Sequence, residues 1–519
     1  MKNIAKYILL AGVSAAALTS CDLDLYPTTS IVWEEGMDVI TMDSDLQSLQ
    51  NGLMANFRSR TNGTYWKTEE IMFDAFNAVV DYGNNNGQLH RQEQAIVADY
   101  EIEDVWAGHY SAIKNYNIFI DAANNMKSTD EKLRANAQIA KGYAFMYRAD
   151  SYLVLARHFG NAYGTSASSD LCVPIITKFN ISELPARNTV AEVYAQIKAD
   201  LDSAAVILKD TKGAVRSEKP NMDAVNFLYA RYYLDTKDYA KAAAAAESVI
   251  NSAAGYKLAS TLEEMMAEFR DDKGTEPIIQ MFANLSEGSV GTTDFTAISN
   301  QTSQGYGYVY HPLYMPSKKL IDAYEKDDLR FQTWFTDGSV SPSNWNNKAD
   351  GIYTYIDGGF YKGQFYVFTR WEGNPALTTS GIPGGGNAAK PYTLPEMYLI
   401  AAEAYAQAGN SAEAVKYLNA LQAARGAKVT TASMDNIKKE WFKETVGQGQ
   451  RLICLKRWND GFGAREAQPG ALAAGVVATG AKYEQLSMPA GDYHLTWPVP
   501  KYEMDVNPNL VQNGGYTID

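Results

Sequence analysis

Two stretches far apart in the chain repeat one pattern of small and large apolar residues, and this restricts the fold to one built from helical hairpins. Ala230, Tyr233, Ala242, Ala246 and Val249 in the first are matched 172 positions later by Ala402, Tyr405, Ala414, Leu418 and Leu421, with Tyr239 and Gly409 near the turns. A small residue three before an aromatic lets a second helix come close, and small residues on that helix seat in the groove, as in tetratricopeptide units. Plain antiparallel pairs without repeat ancestry predict the same packing. Helical spacing extends upstream. Trp106, Tyr110, Ile113 and Asn117 share one face, and Ile139, Tyr143, Phe145, Met146, Tyr152, Leu153 and Leu155 predict a long helix over 135–159 that stops at Gly160. Thr189 and Glu192 have capping-box spacing, and Val193, Ile197, Leu201 and Ala204 supply the buried stripe that follows. The expectation is a mainly α protein, with a helical scaffold at about 100–260 and 392–460.

Between the two halves the character changes. Residues from about 275 to 390 are rich in Gly, Thr, Ser, Asn and aromatics, and 352–355 and 365–368 alternate as strands do. This predicts a loop-and-strand region laid over the scaffold. Pro383-Gly384-Gly385-Gly386-Asn387 reads as a flexible loop, as does 468–481. The segment 61–88 is irregular too, with Tyr82-Gly83-Asn84-Asn85-Asn86-Gly87 at its tip.

The first thirty residues give the chain a destination. Lys2 and Lys6 precede an apolar run from Tyr7 to Leu18, too short to span a bilayer but right for a signal peptide. The run ends in Leu18-Thr19-Ser20-Cys21, which is similar to a bacterial lipobox. Residues 1–20 are therefore expected to be a lipoprotein signal peptide, Cys21 the lipidated start of the mature chain, and 21–519 a single exported domain held to a membrane by its lipid. An ordinary signal peptide with an incidental cysteine is the alternative.

Chemistry-bearing motifs are sparse. The formal net charge is −14 with no basic block, which sets nucleic acid aside as a partner. Cys21, Cys172 and Cys454 form no CxxC or zinc spacing; Cys172 and Cys454 could pair after export. HExxH, GxSxG, GxxxxGK[ST], an EF-hand loop and a dinucleotide glycine fingerprint are all absent, so no cofactor is called for. A glycosidase needs only two carboxylates distant in sequence. The cluster Asp99, Glu101, Glu103 and Asp104 could offer such a pair or a structural calcium site; a solvated helix N-terminus is the plainer reading. His90, His109, His158, His311 and His494 are too scattered for a metal cluster.

Aromatics stand out: 34 tyrosines, 18 phenylalanines and 9 tryptophans. A sugar ring offers an apolar C–H face on which such a side chain stacks while neighbouring polar groups bond the hydroxyls. Aromatics on loops beside Asn, Lys or Arg are the ones worth naming. They are Tyr65 and Trp66 with Lys67, Tyr82 with Asn84, Tyr306, Tyr308 and Tyr310, and Trp345, Trp371 and Arg370. Core or loop packing is the alternative for each.

Several stretches together point to a family. Cys21-Asp-Leu-Asp-Leu-Tyr-Pro27, Trp106-x3-Tyr110-x2-Ile113-x3-Asn117, KGYAFMYRADSYLVLARHFG (141–160), TLPEMYLIAAEAYAQAGN (393–410) with Leu418-Asn419, and PVPKYEMDVNPNLVQNGGY (498–516) resemble the SusD/RagB outer-membrane lipoproteins of Bacteroidetes. Asp22 and Asp24 behind the lipid cysteine resemble the acidic residues that accompany surface export in such lipoproteins. One departure is local. Where the family has arginine, glutamate and aspartate, this chain has Trp441, Gln448 and Cys454, so Arg451 is expected to turn to Glu444 or Glu440.

The resemblance implies a SusD-like helical domain with tetratricopeptide-like pairs on one side and a loop-rich ligand face, to which 61–88 and 295–310 contribute. It implies a surface-exposed lipoprotein, not an enzyme, that binds glycans and passes them to a SusC-like TonB-dependent transporter as its hinged lid. A peptide ligand as in the RagB branch, a lid with no ligand of its own, and a surface glycosidase are the competing readings. The acidic balance suits neutral or cationic glycans unless Lys67, Arg370 or Arg58 form a local basic pocket.

Overall fold

The computed structural model describes residues 34–61, 64–80, 87–180, 182–285, 295, 298–339, 351–379 and 384–518. Cys21, Tyr82, Asn84 and Trp345 lie outside the described residues. Helices α1 (Asp43–Arg60) and α2 (Thr64–Met72) lie against α3 (Tyr100–Asn125), which folds back on α4 (Glu131–Phe159). Helix α4 packs along α5 (Val190–Leu208), and α6 (Met222–Asp235) makes a hairpin with α7 (Tyr239–Ile250). The helices start where the side chains dictate. Thr189 and Glu192 close a complete capping box at α5, and Asp99 accepts from the Glu101 amide at the start of α3. The acidic cluster is thus a helix start, and Glu101 is committed to Lys67 at 2.6 Å. Trp106, Ile113 and Asn117 are buried as the spacing requires, but Ile139 is 37% exposed. Helix α4 sinks into the core only beyond its first turns, so one stripe drawn along its full length misplaces that residue.

The two matched patterns meet in space. Helices α8 (Leu394–Gln407) and α9 (Ser411–Ala424) form the second hairpin, and α8 packs directly on α7 of the first. Ala230, Ala242, Ala246, Val249, Ala402, Ala414, Leu418 and Leu421 are all fully buried at these contacts. Tyr405 and Tyr417 stack 5.9 Å apart, and both donate to Glu247 Oε1 on α7, at 2.7 and 2.6 Å. Small residues at the crossing let the helices approach, and the shared carboxylate fixes their register.

The region between the hairpins supplies short strands. Strand β1 (Phe76–Ala78) pairs antiparallel with β5 (Tyr314–Pro316), and β2 (Pro277–Ile279) with β8 (Tyr392–Thr393), so the loop region is stitched to the scaffold twice. A four-stranded sheet runs β3 (Ile298–Gln301), β4 (Gly307–Tyr310), β6 (Thr354–Ile356) and β7 (Gly359–Tyr361), with β4 and β6 parallel. Its inner face places Tyr310, Ile352 and Ile356 in a small second core with Val79, Met315, Phe365 and Val477.

Buried ion pairs tie the helices together. Arg148 bonds Asp200, Arg157 bonds Asp235, and Arg231 reaches from α6 to Glu396 on α8. Arg451, at the start of α11 (Arg451–Trp458), corrects the sequence expectation: it makes two bonds of 2.7 Å to Asp74. Glu440 and Glu444, on α10 (Met434–Thr445), are instead held by Arg330 and Arg425. These carboxylates sit four apart on one helical face, where those two buried guanidiniums already meet them. Trp441 lies under the Arg457 guanidinium, which is 5.2 Å from its ring. Cys172 and Cys454 are each buried and unpaired.

Candidate ligand cleft

Where α2 begins, the chain from Gly447 to Gln450 passes directly beneath it. Gly447 and Gly449 both hold positive φ, +77° and +62°. A Cβ on Gly449 would lie 2.6 Å from Trp66 Cβ, and one on Gly447 would lie 2.9 Å from Trp371 Nε1. Only glycine fits either position. This close approach leaves a cleft of about 610 Å³, measured out to its open mouth. Tyr65, Trp66 and Trp371 form its aromatic wall; Arg231, Asn387, Lys390, Thr393, Glu396, Gln448 and Gln450 supply its polar lining.

The aromatic wall is rigid. Trp66, only 8% exposed, stacks on Phe295 at 5.8 Å and tilts against Trp371 at 6.5 Å. The Trp371 indole donates to the Gly447 carbonyl at 2.8 Å, and the half-buried Tyr65 meets His158 edge-on at 5.9 Å. Burial pushes the Tyr65 phenol well above its usual range, so it stays protonated as a donor. Of the charges, Arg231 is locked bidentately to Glu396 at 2.6 and 2.7 Å, and Lys390 is paired with Asp272. The Tyr65 hydroxyl and the Gln448 and Gln450 amides have no partner among the described residues, and Thr393 does not spend its hydroxyl on the α8 cap. The cleft therefore presents neutral donors and acceptors beside aromatic faces.

Three sequence candidates come together there, and the others part ways. Lys67 is paired with Glu101. Arg370 corrects its assignment as a ligand contact: it is 2% exposed, donates to the Glu444 and Val446 carbonyls, and lies 4.0 Å from the Trp334 ring. Burial lowers its pKa to about 10, and that guanidinium is part of the core. Tyr310 is likewise turned inward, with its hydroxyl on Glu372 at 2.7 Å, and the half-buried Tyr308 packs against the second core. Tyr306 remains at the surface, stacked on Phe360 at 3.7 Å with Tyr353 edge-on beside it, on the outer side of the four-stranded sheet. A local basic pocket from Lys67 and Arg370 is thus ruled out.

Sequence reading missed Arg231 and Glu396 because both sit in helices whose patterns speak of packing. It noted Gln448 only as a family departure and did not single out Gln450, although two glycines bracketing a glutamine between helices was an available signal. Among the described residues no three His, Cys, Asp or Glu side chains gather as metal ligands, and no helix is long and apolar enough to cross a membrane.

Glu70 underpins the floor. Its carboxylate is 1% exposed and accepts from the Gly447 amide at 2.7 Å, and burial raises its pKa to about 8. A carboxyl that keeps its proton in the folded state stabilises below the unfolded carboxylate range and loses that stabilisation as pH climbs towards 8. The expected result is a wild-type unfolding free energy that falls relative to Glu70→Gln by up to about 1.4 kcal/mol per pH unit between pH 5 and 8. Denaturant midpoints of the two proteins at four pH values check this; parallel curves would refute it.

Comparisons place the chain among known proteins. A family model described as starch-binding, associating with the outer membrane, matches residues 23–234, and one described as the SusD family matches 378–516. The chain is 26% identical over 487 residues to a SusD-like protein P2 of Formosa agariphila, covering 88% of this chain and 90% of that one. A SusD superfamily protein from Bacteroides thetaiotaomicron superposes with a TM-score of 0.70 at 23% identity, over 91% of this chain and 99% of the other. Surface glycan-binding protein A from the same organism, solved with laminarihexaose, superposes at 0.68 with 19% identity, over 91% and 100%.

Proposed function

This chain belongs to the SusD/RagB family, and from that premise we propose that it is a cell-surface glycan-binding lipoprotein serving a SusC-like TonB-dependent transporter. The observation that carries the reading is the cleft in which Tyr65, Trp66 and Trp371 stand beside uncommitted hydroxyls and amides. Sugar C–H faces stack on the rings, while Gln448, Gln450, Thr393 and Tyr65 read the hydroxyls. Cys21 carries the lipid that holds the domain at the outer membrane, and the transporter contact turns binding into import. Hydrolysis is not part of this reading. Glu396 is the one carboxylate lining the cleft among the described residues, and it is held in an ion pair where a glycosidase would need two working acids.

The test is titration calorimetry of the soluble form, started after Cys21, against plant, host and microbial glycans alongside mixed peptides. Saturable heat with one glycan class is expected, weakened about tenfold or more at unchanged melting temperature by Tyr65→Phe, which keeps the packed ring and removes only the hydroxyl. Heat from peptides alone would replace the glycan by a peptide ligand, and silence from both would leave a lid without a ligand of its own. Trp66→Ala is unsuitable for this purpose. Its ring is part of the packed core and its removal is expected to destabilise by about 3 kcal/mol.

A further inference from the structure

Resting on the glycan reading of the cleft, we infer that it is an end-binding subsite that takes the terminal residue of a neutral glycan. Its size is the first reason. Even with the open space at its mouth counted in, the cleft spans only about 610 Å³, the scale of a small ligand. The second is what lies at the walls. Asn387 is 2% exposed, and its Nδ2 donates to the Phe269 carbonyl at 2.9 Å, which orients the amide and leaves Oδ1 buried with no partner among the described residues. Arg231, 7% exposed, commits Nε and Nη2 to Glu396 and Pro391 and leaves Nη1 uncommitted. A buried acceptor without a donor and a guanidinium nitrogen without an acceptor are both answered by hydroxyls, which give and receive.

Asn387 and Arg231 both line the cleft, so a ring meets that wall by entering and not by lying across the mouth. Charge is the third reason. The cation of Arg231 is matched by Glu396 and that of Lys390 by Asp272, so the lining holds no surplus charge for a uronic acid.

The experiment titrates the soluble chain with methyl glycosides of glucose, galactose, mannose, xylose and fucose, with the tetrasaccharide of each, and with a methyl glucuronoside. For one sugar, the methyl glycoside and the tetrasaccharide are expected to bind within about tenfold of each other, the glucuronoside not at all. Asn387→Leu and Gln448→Ala should each weaken both ligands about tenfold or more. If Asn387→Leu fails to fold, Gln448→Ala, whose side chain supports nothing else, decides. Affinity that climbs about a hundredfold with chain length, together with variants that bind as well as wild type, would overturn end binding while leaving the glycan reading standing. Failure of every glycan in the broader panel would overturn both.

Discussion

Replacing Arg425 by methionine is expected to remove about 3–5 kcal/mol of stability. Arg425 is fully buried and bonds Glu444 at 2.7 Å, Glu276 at 2.7 Å and the Ala259 carbonyl at 2.8 Å. Methionine fits the volume but leaves two buried carboxylates facing each other. The pair itself adds little over an apolar core of the same shape, whereas breaking it strands charge in a low dielectric. Guanidinium unfolding measures the effect. Adding Glu276→Gln to the variant should return part of the loss, because one of the stranded charges is gone. A loss below about 1 kcal/mol would mean that Arg330 alone carries Glu444, and the network would then be redundant.

Gly449→Val is expected to abolish ligand binding while leaving the helical scaffold folded. The residue sits at φ +62°, where a β-branched side chain is strained, and its new Cβ would lie against Trp66, whose own Cβ has no freedom to move. The Gly447–Gln450 segment must lift, and with it go the Gln448 and Gln450 amides and the Trp371 bond to Gly447. The stability cost is about 1–3 kcal/mol, and saturable heat in calorimetry should vanish. Tryptophan fluorescence reports the moved wall separately from binding. Full binding with an unchanged spectrum would remove the cleft from consideration as the site.

How much of this was legible beforehand depends on the length scale of the cause. The hairpin pattern from Ala230 to Val249 and from Ala402 to Leu421 is set by residues close in sequence, so spacing alone revealed it. The docking of α7 on α8 is a consequence of the same small residues. Arg451 finding Asp74 was not readable, since nothing in either neighbourhood says which of many carboxylates a distant fold will bring near. The candidate site divides in the same way. Tyr65, Trp66 and Trp371 were named because aromatics beside polar residues on expected loops suit a sugar face, although Tyr65 and Trp66 stand on the first turn of α2; Arg370, the immediate neighbour of Trp371, is turned into the core, a matter of one step in backbone direction. Asn387 and Arg231 gain their meaning only from what fails to meet them.

The docked hairpins also bear on what the chain can tolerate over evolutionary time. Because α7 and α8 are clamped by the Glu247 bridge, the ends of the intervening segment are held at a fixed separation whatever that segment contains. Closing a loop between fixed ends grows more costly only with the logarithm of its length, about 0.6 kcal/mol for each doubling. Insertions in the segment's surface loops can therefore accumulate at small cost to the frame, provided the buried Glu276, Arg330 and Arg370 anchors are kept. The scaffold behaves as a chassis on which the recognition face can be exchanged.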